Sequence, residues 1–406
     1  MKYMGSKAAL LQGPLGDLVL TEASKADQFV DLFSGSGSVG NAVAEQLEVP
    51  VLSADLQQYS QILSAAIIER TEPLAKSEVI GEWLSSAKTA LQSDEAYARI
   101  DATPATLNER DVMSARASSI AEGASGFITA HYGGHYFSPR QAMALDRLFQ
   151  TMPEAPDTRT LAYATLLRAA SVCAAAPGHT AQPFQPTVTL LPYIQKAWSR
   201  DVIAEVERGV DIMGNRHARV KGRAIVSDAH ELARQLDGGD VVFCDPPYSS
   251  VQYSRFYHVL EGIARGGWAK VTGAGRAPAL EDRSSSAFSL RGSASRTFRE
   301  LLQTLREREC RVIVTFPDAE ASNGLSSDAI VEMASESWHV TTTLVDSTHS
   351  TLGGRSDEGG RGGRRKLQEA VIVLHPRTTL ISIKPSDARG EPLHSHEPAE
   401  VEFAAS

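Results

Sequence analysis

Short apolar runs bounded by glycine or polar residues recur near the start of the chain. Residues 28–33 predict a buried strand that runs into a glycine turn, and residues 40–47 predict a helix. Residues 49–54 predict a second strand, which ends at Asp55. A strand, turn, helix and strand in this order form the unit of doubly wound α/β sheets, so the pattern predicts an α/β fold.

The rest of the chain alternates between helical, strand-like and loose segments. Residues 59–170 are rich in Ala, Leu, Ser and Glu and predict mostly helix, with a break at residues 131–139. Further strands are predicted at residues 223–226, 240–244, 311–316 and 369–374. Two segments rich in Gly, Ser and Arg, 266–295 and 353–365, suit mobile loops, and the polar tail predicts disorder.

The length of the chain, 406 residues, exceeds what one ordinary core requires. We therefore expect an α/β domain with a sizeable insertion. The predicted boundaries place the first half of the α/β domain at 1–60, the helical insertion at 61–222, the second half at 223–385 and the tail at 386–406.

Composition excludes several classes of protein. The chain is 42% hydrophobic and 22% charged, as in globular proteins, with no apolar run of membrane-spanning length. Its start lacks the apolar core of a signal peptide, so the cytoplasm is the expected compartment. Three widely spaced cysteines favour neither a disulfide framework nor a zinc site. The net charge of −9 means that any affinity for nucleic acid must come from local basic patches.

The first candidate site is the glycine turn at residues 31–37. Gly35 and Gly37 allow a sharp turn against which a ligand can lie, and Asp55 follows about twenty residues later, where a carboxylate can accept both ribose hydroxyls. An ordinary tight turn is the alternative. No Gly-Lys-Ser/Thr follows the turn, which disfavours a triphosphate and favours a nucleoside without phosphates. S-adenosylmethionine is such a ligand, with Asp31 suited to its ammonium group.

The second candidate site is the tetrapeptide Asp245, Pro246, Pro247 and Tyr248, directly after a predicted strand. The amine of adenine is a poor nucleophile because its lone pair is delocalised into the ring. The Asp245 carboxylate and the Pro246 carbonyl can accept its two N–H groups and localise that lone pair, and the two prolines fix the carbonyl. Tyr248 offers a face for a flipped-out base. The alternative is a structural Pro-Pro turn.

The order of these motifs resembles that of the Dam-like, alpha-group adenine-N6 DNA methyltransferases. Lys-Tyr-Met-Gly-Ser-Lys at residues 2–7 comes first, then the glycine turn, a long insertion and the tetrapeptide. Residues 249–261 are similar to the segment after this motif in restriction-modification enzymes. The resemblance implies a Rossmann-like class I methyltransferase sheet with helices on both faces, and an inserted target-recognition domain.

The resemblance also implies roles for individual residues. It assigns Tyr3 and Lys7 to the cofactor, Asp55 to its ribose, and Asp228 to its adenine amine; Asp228 is equally suited to cap a helix. The predicted cofactor-binding residues are Tyr3, Lys7, Asp31, Phe33, Gly35, Ser36, Gly37, Asp55, Asp228 and Asp245.

Binding of double-stranded DNA requires basic side chains near phosphates. The candidates form two clusters: Arg216, Arg219, Lys221 and Arg223, and Arg355, Arg361, Arg364, Arg365 and Lys366. His179, Gln182 and Gln185 are candidates for reading base edges, and residues 132–137 form either a second DNA-facing loop or a packed aromatic cluster. Solvated surface is the alternative for each basic cluster, and an ordinary surface loop is the alternative for the segment with His179, Gln182 and Gln185.

Four other functions compete with DNA adenine methylation. An RNA adenine methyltransferase would use the same amine chemistry, whereas an N4-cytosine or protein-glutamine enzyme would favour Asn or Ser in place of Asp245. A non-catalytic DNA-binding regulator would be expected to lose Asp245 or Tyr248. The expected partners are duplex DNA and a cognate restriction endonuclease or defence complex.

Overall fold

The computed structural model describes residues 7–121, 126–350 and 364–377. Seven strands form one sheet in the order β3-β2-β1-β4-β7-β9-β8, and β5 and β6 form a separate two-stranded ribbon. The strands are β1 (Phe29–Asp31), β2 (Val51–Asp55), β3 (Arg223–Val226), β4 (Val241–Cys244), β5 (Val271–Thr272), β6 (Ala277–Pro278), β7 (Arg311–Pro317), β8 (Trp338–Ser350) and β9 (Arg364–Pro376). Strands β3, β2, β1, β4 and β7 are parallel, while β9 runs antiparallel to β7 and β8 antiparallel to β9.

Helices cover both faces of this sheet. In chain order they are α1 (Pro14–Ala23), α2 (Ser38–Gln46), α3 (Gln58–Ile68), α4 (Lys76–Gln92), α5 (Glu95–Arg99), α6 (Glu109–Ala121), α7 (Phe127–Tyr132), α8 (Pro139–Gln150), α9 (Pro156–Cys173), α10 (Leu191–Trp198), α11 (Val202–Met213), α12 (Ala229–Ala233), α13 (Tyr253–Ala264), α14 (Ala294–Glu307) and α15 (Ser327–Ser335). Short 3-10 helices span Lys7–Gln12, Leu280–Asp282 and Ala287–Ser289. Within the described ranges, no helix is both long and apolar enough to span a bilayer.

The central strands are apolar on both sides because both sides are buried. Phe29 and Phe243 belong to the core on one face, whereas Val30 and Val242 belong to the core on the other. Successive side chains of a strand point to opposite faces, so a run without polar interruption is what a doubly covered parallel sheet requires. The predicted α/β fold, with helices on both faces, is confirmed.

The helical insertion is packed onto one face of the sheet. Helix α9 packs against α3 and α11, and α4 packs against α8, in the core that also contains Phe29 and Val51. Trp83 donates a hydrogen bond to the carbonyl of Leu148 at 2.8 Å, which ties α4 to α8. Helix α3 runs across the predicted boundary at residue 60, and the described residues as far as Pro376 form one compact unit. The insertion therefore shares its apolar core with the sheet.

The segment 266–295, predicted to be a loose loop, is held by specific contacts. The hydroxyl of Tyr136 donates to the carbonyl of Gly275 at 2.8 Å, and the guanidinium of Arg276 donates to the carbonyl of His131 at 2.8 Å. His258 contacts the Gly275 carbonyl through Nε2 at 2.8 Å. The prediction was wrong here because a high content of Gly and Ser indicates only that the backbone is locally flexible. It does not indicate hydrogen bonds to residues that are distant in the sequence.

The aromatic residues at 132–137 support the packing interpretation over the DNA-facing one. Tyr132, Tyr136 and Phe137 are fully buried. The predicted tail at 386–406 and most of the predicted loop at 353–365 lie outside the described residues.

Candidate active site

A cleft opens at the carboxyl ends of the parallel strands. Asp31 ends β1, Asp55 ends β2, and Asp245 directly follows β4. The sheet changes direction of winding between β1 and β4, and the crevice at such a switch point is where open α/β sheets bind ligands. The lining includes Lys7, Asp31, Phe33, Gly35, Ser36, Asp55, Asp228, Asp245, Pro247, Tyr248 and Phe288.

The glycine turn has the conformation that its sequence predicts. Gly35 and Gly37 have φ angles of +50° and +73°, in the region that side chains rarely adopt. A Cβ atom at Gly37 would lie 2.9 Å from Oγ of Ser64, so the position is also closed sterically. This geometry brings the backbone of the turn against the cleft.

Asp55 closes the turn from the neighbouring strand. Its two carboxylate oxygens accept hydrogen bonds from the backbone N–H groups of Gly35 at 2.9 Å and Gln57 at 3.0 Å. Burial raises the pKa of Asp55 to about 6, although these N–H groups act in the opposite direction. Asp55 is therefore fixed at the cleft by the backbone itself.

Asp31 and Asp228 lie on either side of Asp55 in the strand order. Asp31 is buried, accepts a hydrogen bond from the N–H of Gly40 at 3.3 Å, and has a pKa that burial raises to about 7. Asp228 lines the cleft and also caps α12, accepting from the N–H of His230 at 2.8 Å. The cap and a ligand contact are thus compatible.

Phe288 lines the cleft with its aromatic ring, and the sequence analysis did not identify it as a site residue. Its ring lies edge-on to Phe33, with centroids 5.1 Å apart, and stacks on His230 at 5.5 Å and 17°. It belongs to the segment predicted to be a loose loop, and a single phenylalanine among serines carries no local signal of a site.

The segment that carries Phe288 crosses the cleft between its two halves. Ser284 donates to the carbonyl of Leu56, just after β2, at 3.0 Å. Gln252 and Ser286 exchange two hydrogen bonds, at 2.9 Å and 2.7 Å, beside the tetrapeptide. Residues 284–288 therefore link the half of the cleft that contains Asp55 to the half that contains Asp245.

The carboxylate of Asp245 is held by side chains from two distant parts of the chain. Its Oδ1 atom lies 2.9 Å from Nζ of Lys7 and accepts a hydrogen bond from the hydroxyl of Thr315 at 3.0 Å. Burial raises the pKa of Asp245, and the ammonium of Lys7 counteracts part of that shift. Lys7 also bonds to Glu369 of β9.

Lys7 is charged despite its burial. Desolvation lowers its pKa, but the carboxylates of Asp245 and Glu369 outweigh that effect and hold the pKa above the ordinary value. The sequence analysis identified Lys7 and missed Thr315 and Glu369. The sequence feature that could have identified Glu369 is its position, because it is a charged residue directly before the apolar run 370–374.

Asn323 fixes the backbone of the tetrapeptide. Its side-chain amide donates to the carbonyls of Pro247 at 2.7 Å and Phe288 at 2.9 Å. The predicted role of the Pro246 carbonyl as an acceptor stays a prediction. Tyr248 is half-buried at the cleft, and burial raises its pKa.

The first basic cluster lies away from the cleft. Arg216 forms two hydrogen bonds to the carboxylate of Glu45, at 2.7 Å and 2.9 Å, and Arg219 donates to the carbonyl of Glu45 at 3.1 Å. Lys221 and Arg223 lead into the amino end of β3, whereas the cleft lies at the carboxyl ends of the strands. The structure therefore does not bring these four residues to Asp245, contrary to the expectation of a basic cleft.

The other predicted DNA contacts fall into two groups. The ring of His179 lies 5.3 Å from that of Phe256 on α13, and Gln182 and Gln185 are exposed on the same loop. Residues 364–366 belong to β9, but their side chains, together with Tyr3, Arg355 and Arg361, lie outside the described parts of the chain.

The strand order, the glycine turn after β1 and the Asp-Pro-Pro-Tyr motif after β4 together define a class I methyltransferase fold. A family model of the D12 class N6 adenine-specific DNA methyltransferases matches residues 3–138 and 213–315, more than half of the chain. The chain therefore belongs to this family.

Curated relatives extend the comparison. Modification methylase LlaI of Lactococcus lactis subsp. lactis is 23% identical over 92% of this chain and 55% of its own length. Type II methyltransferase M.FokI of Planomicrobium okeanokoites is 27% identical over 70% of this chain and 40% of its own length. Type II methyltransferase M.NlaIII of Neisseria lactamica is 23% identical over 65% of this chain and 69% of its own length. The chain thus spans about half the length, or less, of the first two.

Proposed function

We propose that this chain is a site-specific DNA methyltransferase that transfers a methyl group from S-adenosylmethionine to N6 of an adenine in duplex DNA. The observation that carries the proposal is the position of Asp245, held by Lys7 and Thr315 in the same cleft as the glycine turn. The same cleft would thus hold the cofactor against the glycine turn and beside an oriented carboxylate.

The residues around the glycine turn fit S-adenosylmethionine. Gly35 would leave room for the ligand at the cleft, Asp55 would accept the ribose hydroxyls, and Asp31 would face the ammonium group. Phe33 and Phe288 would flank the adenine, with Asp228 near its amine. When bound, the cofactor supplies a sulfonium-activated methyl group.

Asp245 would act on the target amine through its second oxygen. Lys7 and Thr315 both contact Oδ1, so Oδ2 is the oxygen suited to accept an N–H of adenine. In this position the carboxylate would localise the lone pair of the target nitrogen toward the activated methyl group, and Oδ2 would be placed to accept the proton that the nitrogen loses. A carboxylate that accepts a hydrogen bond from this nitrogen stabilises it most when the nitrogen becomes tetrahedral and cationic, as in the transition state.

Tyr248 and the helical insertion would hold the DNA. Tyr248 would stack on the flipped-out base, and the insertion would supply target recognition through the loop of His179, Gln182 and Gln185, which adjoins α13. The names of the relatives indicate modification methylases, which supports a cognate restriction endonuclease as a partner of this chain.

The test is transfer of labelled methyl groups to unmethylated DNA, with the product nucleoside identified by mass spectrometry. We expect N6-methyladenine in DNA, and much less in RNA of the same sequence. Asp245→Ala should reduce the rate by at least about a hundred- to a thousandfold, the usual cost of removing a preorganised transition-state partner.

Asp240→Ala is the matched control, because Asp240 is a carboxylate at the opposite end of the same strand and accepts from the N–H of Asp237. It should keep the wild-type rate. A methylcytosine product, or full activity of Asp245→Ala, would contradict the proposal.

A further inference from the structure

Three charged groups lie together at the floor of the cleft: Asp245, which lines the cleft with 17% of its side chain exposed, and two that have almost no access to water. Lys7 is 4% exposed and Glu369 is fully buried. Lys7 contacts Glu369 on one side and Asp245 on the other. A buried ammonium between two carboxylates gives the group a net charge of −1, with all three members in direct contact through Lys7.

The sheet fixes the position of Glu369 relative to Asp245. Glu369 pairs with Pro317 in the antiparallel register of β9 and β7. Two residues earlier on β7, the hydroxyl of Thr315 donates to Asp245. The pairing of the two strands therefore places both residues near the carboxylate of Asp245. Thr315 contacts this carboxylate directly, and Glu369 is linked to it through Lys7.

The charge of Lys7 creates a difficulty for the proposed chemistry. An ammonium bound only to Asp245 would withdraw charge from the carboxylate that must accept a hydrogen bond from the target amine. It would also oppose the positive charge that develops on the amine nitrogen. Interactions between charges are strong in a buried site, so a second carboxylate on Lys7 reduces both effects.

We propose that Glu369 is a positioning residue for methyl transfer, which holds Lys7 against Oδ1 of Asp245 and offsets its charge. Oδ2 of Asp245 then faces the target amine with its negative charge retained. This inference rests on the proposed function, since it assigns a role within that reaction. Glu369 itself touches Lys7 and has no contact with the reacting atoms.

The test is the pH dependence of kcat for Glu369→Gln, which keeps the shape of the side chain and removes its charge. We expect kcat to fall by roughly ten- to a hundredfold, by analogy with residues that orient metal ligands, whose loss costs about that factor. The acidic limb of the profile should also move to lower pH, because a like charge no longer opposes ionisation of Asp245. KM for DNA should change little. Glu369→Asp retains the charge and should recover part of kcat and the wild-type limb.

Glu205→Gln is the matched control, because Glu205 is a buried carboxylate on α11 held by Arg168 and Arg208. It should leave both kcat and the acidic limb unchanged. A Glu369→Gln enzyme with the wild-type kcat and limb would overturn the inference. A lower kcat with an unmoved limb would overturn it as well, since that is the result of a purely structural role.

A second variant covers a folding failure of Glu369→Gln. Lys7→Met combined with Glu369→Leu removes the other two charges of the group, so Asp245 loses its cation in a largely buried site and the acidic limb should move to higher pH. An unmoved limb in this variant would also reject the inference. Absence of N6-methyladenine with the wild-type chain would instead reject the proposed function, so the two failures are distinguishable.

Discussion

Binding of S-adenosylmethionine should release a proton from Asp31. Burial raises the pKa of this carboxyl group to about 7, so at pH 6 it carries a proton in roughly nine of ten unliganded molecules. An ammonium group placed against Asp31 stabilises only the ionised form. Binding of one ligand should therefore release about 0.9 proton from this residue at pH 6 and about 0.1 proton at pH 8.

The same linkage fixes the sign and size of the pH dependence of affinity. Because the unliganded form holds the proton, binding should strengthen as pH rises through about 7. The ionised fraction of Asp31 rises about fivefold between pH 6 and pH 7, so affinity should gain about the same factor from this residue. Asp31→Asn should lose that gain and bind more weakly throughout.

Calorimetry in buffers of different ionisation enthalpy measures the released protons directly. At pH 6 we expect Asp31→Asn to release about 0.9 proton fewer than the wild type. Asp101→Asn is the control, because Asp101 is an exposed carboxylate between α5 and α6. Equal proton release by wild type and Asp31→Asn would refute the assignment of Asp31 to the ammonium group.

Two further substitutions probe the tetrapeptide and the glycine turn. Tyr248→Ala should weaken both DNA binding and turnover by roughly 1–3 kcal/mol, the value of stacking on one base, and Tyr248→Phe should restore most of it in binding and methylation assays; an alanine variant with unchanged affinity would remove Tyr248 from base binding. Gly37→Ala should lower the free energy of unfolding by at least about 1–2 kcal/mol, because φ is +73° and the new Cβ would meet Ser64. Gly81→Ala on α4, where a Cβ meets nothing within 4 Å, should instead stabilise by up to about 1 kcal/mol, and loss of stability there but not at Gly37 in thermal melts would contradict the argument.

The edge of the sheet shows where local pattern stops being informative. The predicted strands at 311–316 and 369–374 correspond to β7 and β9. Strand β8 was not predicted, since polar residues interrupt its apolar ones and six of the ten residues from 338 to 347 are exposed. An edge strand of this kind is stabilised by pairing with its neighbour, and the sequence of the strand alone does not reveal that neighbour.

The sequence by itself determined the parts of the site that depend on local geometry. A glycine is favoured where φ is positive, as at Gly37. Asp31 and Asp55 each end a short strand, and Asp245 directly follows one. Burial on both faces imposes such strands, and the carboxyl ends of parallel strands meet at one edge. That reasoning needs only the order of residues along the chain.

Only the tertiary structure decided which distant side chains surround Asp245. Thr315, Asn323 and Glu369 are separated from it by 70 residues or more, and their pairing depends on strand order and register. The same reason explains the misplaced basic cluster: Arg216 and its neighbours precede β3, and the direction of that strand puts them at the opposite edge from the cleft. Periodicity encodes whether a residue is buried, whereas the identity of its neighbours is set by how the strands assemble.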